Sequence, residues 1–212
     1  MKKQYVLLFF ATLVLTNKTF AQKDITFSIN AGLTYSSLFG NEFANQLDSE
    51  FDFLVGVGMN YLLTENLSLK TELNYERMKS SLISELINTN GLPNGKLTSY
   101  AKTTYLTIPL MVKYNHDGFF VNGGPFVGIL LSSKTIAENN QIDNSEGLKA
   151  VNFGISLGLG KEFKINDSNS FIIEIRDNFG LMNTSNIPVY RNGSVKTNSV
   201  NLILSWNFSF TN

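Results

Sequence analysis

Residues 151–160 read Val-Asn-Phe-Gly-Ile-Ser-Leu-Gly-Leu-Gly, apolar at every odd position and small or polar at every even one. A helix would gather its apolar residues at spacings of three and four. Strict alternation instead puts Val151, Phe153, Ile155, Leu157 and Leu159 on one face of a strand. Working outward, the same period appears in Ile25–Tyr35, Phe51–Tyr61, Leu67–Tyr75, Leu106–Tyr114, Phe119–Leu131, Phe171–Leu181 and Val200–Phe210. These segments make eight strands of roughly ten to fourteen residues. Strands of soluble proteins usually run to about five or six residues, whereas a tilted strand needs about nine to eleven to cross a bilayer.

The connections alternate as well. Segments 36–50, 79–101, 132–148 and 182–197 are long and polar. Segments 63–66, 115–118 and 163–169 are short, with Asn115-His116-Asp117-Gly118 the clearest turn. Long loops at one end and short turns at the other are the pattern of an outer-membrane barrel. The fold expected is therefore all-β, an eight-stranded antiparallel up-and-down transmembrane β-barrel.

Composition agrees. The chain of 212 residues is 43% hydrophobic but only 16% charged, with a mean hydropathy of −0.01 and no cysteine. Lys+Arg and Asp+Glu both number 17, so bulk charge gives no footing for nucleic acid. The absence of cysteine excludes disulfides, thiolate metal sites and cysteine catalysis. The one continuous apolar run is N-terminal. Lys2 and Lys3 precede Tyr5–Leu15, and Thr19-Phe20-Ala21 supplies small residues at a cleavage site. Residues 1–21 read as a cleaved signal peptide and residues 22–212 as the barrel domain. Cleavage would leave 14 basic and 17 acidic residues.

Period two does not say which face is outside. The polar face decides, because it carries Gly32, Gly56, Gly58, Gly124, Gly128, Gly154, Gly158, Gly160 and Gly180. Glycine makes room for large neighbours in a narrow barrel interior, but only weakens a strand facing water. The same parity holds Lys70, Glu72, Glu76, Lys113, Glu174 and Arg176, three bases and three acids that can neutralise one another in a lumen. Charge facing lipid is costly. Aromatics gather at strand ends on the apolar parity. Tyr61, Tyr114, Phe119, Phe163, Phe171, Phe208 and Phe210 lie near the short turns, and Phe51, Phe53, Tyr75 and Phe179 near the long loops. Two such belts mark the two bilayer interfaces.

Little in the chain suggests catalysis. His116 is the only histidine and sits in a turn, so no histidine is left to pair with a serine inside or above the lumen, as serine–histidine catalysis needs. Glu72 and Glu76 share a strand face, but their basic neighbours favour an ion network over paired catalytic carboxylates. Gly154, Gly158 and Gly160 lie inside a strand pattern and lack the helix that a phosphate loop requires. Asp143-Asn-Ser-Glu146 lacks the ligand spacing of a calcium loop. In the longest loop, Leu82, Ile83, Leu86 and Ile87 fit either one amphipathic turn or an extension of the third and fourth strands above the membrane.

Tyr105-Leu-Thr-Ile-Pro109-Leu-Met-Val-Lys113-Tyr114, followed by Phe119-Phe-Val-Asn-Gly-Gly124-Pro125-Phe-Val-Gly128, resembles the PorT-like outer-membrane β-barrel domain of Bacteroidota, an OmpA-type eight-stranded barrel. The resemblance spans the mature chain. It implies an integral protein of the bacterial outer membrane and, by analogy, assistance to envelope protein secretion. Pro109 and Pro125 bear on the fold directly, because proline donates nothing to a strand ladder. Folding the hairpin about His116-Asp117 sets residue 109 opposite residue 124 and predicts a bulge or weakened pairing there.

The expected function is a non-enzymatic structural or interaction role, exerted through extracellular loops or periplasmic turns. No cofactor or metal is expected. The expected partners are outer-membrane lipid, the barrel-assembly machinery and other envelope proteins. Two alternatives stay open: a small-solute channel, and a soluble lipocalin-like ligand-binding barrel with its apolar face inward.

Overall fold

A computed structural model of the chain describes residues 25–88, 92–138, 140–187 and 193–210. The proposed signal segment, residues 1–21, lies outside the described residues. The strands are β1 (Ile25–Phe39), β2 (Asp48–Leu62), β3 (Leu67–Ile87), β4 (Pro93–His116), β5 (Phe119–Ala137), β6 (Asn140–Asp143), β7 (Val151–Asn166), β8 (Asn169–Gly180) and β9 (Lys196–Phe208). Eight of them pair antiparallel in a ring, β1-β2-β3-β4-β5-β7-β8-β9, which closes through β1 and β9. The ninth, β6, was not expected. It pairs only with the upper end of β5, from Lys134↔Asp143 to Ala137↔Asn140.

The faces divide as the alternation requires. Ile29, Val57, Leu110, Leu157 and Leu202 are exposed around the outside, while Asn30, Asn74, Asn201 and Ser205 are buried inside. A lipocalin-like cup would need the reverse, so that alternative does not describe this barrel. The interior also holds Leu54, Met78, Tyr105, Met111, Phe120, Phe126, Ile172 and Ile203, all buried. The glycines give these side chains space. A Cβ on Gly158 would come within 2.6 Å of Glu174 Oε1.

Aromatics band the outside. Near the short turns Phe27 packs on Phe208 and Phe210 with ring centres 6.2 and 5.8 Å apart. Near the long loops Tyr35 meets Phe51 at 4.8 Å and Phe39 meets Phe179 at 5.1 Å.

Three features differ from the sequence reading. First, β3 and β4 run to 21 and 24 residues, because segment 79–101 is largely strand and not loop. Leu82, Ile83, Leu86 and Ile87 continue β3, with Leu82↔Ser99, Ile83↔Thr98 and Ile87↔Pro93 paired. No amphipathic helical turn forms. Second, the β4–β5 turn is tighter than expected. Asp117 (φ 50°) and Gly118 (φ 81°) form a two-residue turn in the left-handed region, whose twist matches that of the flanking strands. This moves the register by two, so Pro109 faces Phe126 and not Gly124. Third, the irregularity falls one step away. The β4–β5 register runs unshifted from Pro109↔Phe126 to Val112↔Gly123, but the two pairs between them, Leu110 with Pro125 and Met111 with Gly124, are not made. A register shift lies between Thr104 and Tyr105.

Candidate functional site

Two places stand out: the charged interior, and the hairpin that rises above the ring.

The interior cluster follows from strand direction. β3 and β8 both start at short turns and run the same way. β3 carries Lys70-x-Glu72 and β8 carries Glu174-x-Arg176. At each height a base on one strand therefore faces an acid on the other. Lys70 Nζ lies 2.7 Å from Glu174 Oε2, and Arg176 grips Glu72 through Nη1 at 2.6 Å and Nη2 at 2.9 Å. Links along each strand close the square, with Lys70 Nζ 2.8 Å from Glu72 Oε1 and Arg176 Nε 2.7 Å from Glu174 Oε1. Asn74 and Asn122 donate to Glu72 and Glu174 at 2.7 and 2.9 Å. The side chains of Glu72, Glu174 and Arg176 have no exposed surface at all. Such a ring fits a buried site, because each ion is both paired and hydrogen-bonded.

The other two expected members lie apart from this ring. Lys113 sits nearer the short turns and pairs with Glu162 at 2.9 Å, its ammonium 4.3 Å from the centre of the Phe120 ring. Glu76 sits higher and accepts hydrogen bonds from Thr107 at 2.8 Å and Ser199 at 2.6 Å. It forms no ion pair among the described residues. The network is therefore three tiers, not one set of six. Glu162, which the sequence reading missed, completes the lowest. Its even position on β7 continues the inward parity of Gly158 and Gly160, and that signal was legible.

Tyr105, Pro109 and Gly128 face inward on β4 and β5 and are buried, Pro125 and Tyr114 face outward, and Gly124 lies beside the ladder irregularity. His116 is exposed at the turn, its Nε2 3.6 Å from Asp117. The Asp143 carboxylate accepts from the Ser145 N–H at 2.8 Å.

Both mouths have definite form. At the short-turn end a recess of about 320 Å³ is lined by polar residues including Asn60, Asn115, Glu162 and Asn207. At the other end two long connections lie across the opening. The Lys149 N–H donates to Thr184 O at 2.7 Å, and Asn186 Nδ2 to Leu148 O at 2.8 Å. A small pocket of about 40 Å³ lies beneath them, beside Met78 and Tyr105. The β3–β4 hairpin passes above this rim. Lateral pairing ends at Asp48↔Ser81 on one side and Ser99↔Ala137 on the other, so the described residues 82–88 and 92–98 belong to a free two-stranded ribbon. Ile83, Leu86 and Leu92 are exposed on it.

A closed antiparallel ring with a packed, charged interior and an apolar, aromatic-banded exterior defines an integral barrel of the bacterial outer membrane. The family model of the outer membrane protein beta-barrel domain matches residues 19–186, and the chain belongs to that family. No curated protein matches the chain. Among solved structures, similarity extends to Ail of Yersinia pestis in complex with a heparin analogue. There the identity is 9%, coverage is 87% of this chain and 99% of that one, and the TM-score is 0.46. Neisserial surface protein A is similar at 12% identity, 87% and 97% coverage and a TM-score of 0.46. The outer membrane protein AlkL gives 12% identity, 92% and 94% coverage and a TM-score of 0.46.

Proposed function

We propose that the chain is a closed, non-enzymatic barrel of the PorT-like group. It acts by contact through its extracellular hairpins and periplasmic turns, and residues 1–21 are removed on export. The observation that carries this reading is the Lys70–Glu72–Arg176–Glu174 ring, whose three innermost side chains have no exposed surface. A solute would have to break several charge-assisted hydrogen bonds to pass. The reading also draws support from the free β3–β4 ribbon, since loops on a rigid scaffold commonly carry binding. By the same resemblance, its partners are envelope proteins, including those of secretion, and the machinery that assembles barrels.

Planar-bilayer recording tests the closed lumen. Purified protein should give no discrete conductance steps. Steps that change size in E72Q or R176Q would support the channel reading instead. Crosslinked capture from envelopes, comparing the intact chain with one lacking residues 84–97, should show partners that depend on the ribbon. An identical set from both would remove the ribbon's role. The N-terminal residue of envelope-extracted protein should be Gln22.

A further inference from the structure

Three lysines stand side by side across the outer face of three neighbouring strands. Lys79 of β3 is directly opposite Lys102 of β4, and Lys102 is directly opposite Lys134 of β5. Opposite residues of an antiparallel ladder share a face, with Cβ atoms about 4.5–5.5 Å apart. The next row, Met78, Thr103 and Ser133, points inward, with Thr103 Oγ1 3.2 Å from Ser133 Oγ. The lysines therefore point away from the lumen.

Like charges directly opposite one another destabilise a sheet, and the barrel neutralises this row only at its edges. Lys79 has Glu50 at 3.7 Å and the Tyr100 ring at 4.3 Å. Lys102 and Lys134 form no ion pair among the described residues. Asp143 is opposite Lys134 on β6, and its carboxylate accepts from the Ser145 N–H. The row of three lysines is thus flanked by one acid at each edge, Glu50 opposite Lys79 and Asp143 opposite Lys134, and among the described residues it keeps one uncompensated positive charge, centred on Lys102.

The height of the row identifies what supplies the missing counter-charge. The row Tyr75, Leu106 and Ile129 lies four residues nearer the short turns on β3 and β4. Four residues at about 3.3 Å, tilted about 40°, raise the lysines roughly 10 Å above that aromatic-bearing row. That is the headgroup layer, and the lysine stems can extend within it. Beneath the lysines the outer surface carries first Arg77, paired with Asp52 at 3.2 Å, and then the exposed apolar side chains of Leu131 and Ile129. A ligand seated on the row therefore stands over lipid tails, as an amphiphile does.

We propose that Lys79, Lys102 and Lys134 form a docking site for the phosphate of a glycolipid headgroup in the outward-facing leaflet. The proposal rests on the outer-membrane reading, with the β3–β4 hairpin on the outward side.

The test reconstitutes the full mature chain in vesicles of phosphatidylcholine alone, or with added lipid A in phosphorylated or dephosphorylated form. Vesicle flotation reports insertion by itself, so a barrel that never inserts fails there and not in the lipid comparison. Phosphorylated lipid A should raise the unfolding temperature by roughly 4–8 °C, and the dephosphorylated form should not. K102Q/K134Q should lose most of that rise yet be no less stable than wild type in phosphatidylcholine, where its repulsion is relieved. K96Q, which removes a lysine opposite Glu85, should keep the full rise. An equal rise in K102Q/K134Q and wild type would overturn the proposal. So would an equal rise with inorganic phosphate in place of the lipid.

Discussion

Arg176 carries the greatest burden of any residue in the barrel. It holds Glu72 with two nitrogens and Glu174 with a third, entirely out of solvent. Removing it leaves two buried carboxylates sharing only Lys70. We expect R176L to destabilise the barrel by about 3–5 kcal/mol, the range for breaking a buried pair by removing one partner. Replacing all four members together by K70M/E72L/E174L/R176M should cost less than R176L alone, because no ion is left stranded. Urea unfolding in lipid vesicles checks both. A larger loss in the fourfold variant would mean the ring contributes net stability beyond satisfying its own charges. The sequence supplied six of the seven interior ions, all but Glu162, but not their tiers. Parity tells which face a residue occupies but not its height, which depends on tilt and register. Lys113 and Glu76 thus read as members of one set, whereas Lys113 lies a tier below the ring and Glu76 a tier above it.

At the scale of elements, alternation located all eight ring strands, since period two is set by side-chain direction alone. It placed their upper ends less well. Polar residues such as Ser80, Ser84, Thr98 and Ser99 read as loop, yet all four pair across the β3–β4 hairpin where it leaves the membrane and strict alternation is no longer required. The short strand β6 was hidden for the same reason, being exposed along its whole length. The β4–β5 register failed by two because the turn was centred on His116-Asp117. Asp117-Gly118 takes the left-handed conformations that the tight turn needs. The ribbon should be separable from the barrel. Replacing residues 84–97 by Asn-Gly joins Ile83 to Thr98, which are already paired. The unfolding midpoint in vesicles should stay within about 0.5 kcal/mol of wild type, as expected for changes away from packed features. A loss of several kcal/mol would show that the ribbon braces the ring.

The whole molecule is a barrel turned outward. Its apolar residues meet the membrane, and its polar residues pack against one another along the axis. That arrangement explains how a chain 16% charged, with mean hydropathy near zero, spans a bilayer without a long apolar run in its barrel. It is also the central claim, and the absence of native cysteine makes it directly testable. Single fluorophores can be attached through V57C, L73C, L110C, L157C, I175C and L202C, one on each of six ring strands and all at exposed apolar positions. In vesicles carrying a nitroxide at the centre of the acyl chains, every one of the six should be strongly quenched, and aqueous iodide should leave them unaffected. Iodide quenching without nitroxide quenching at these positions would contradict the account.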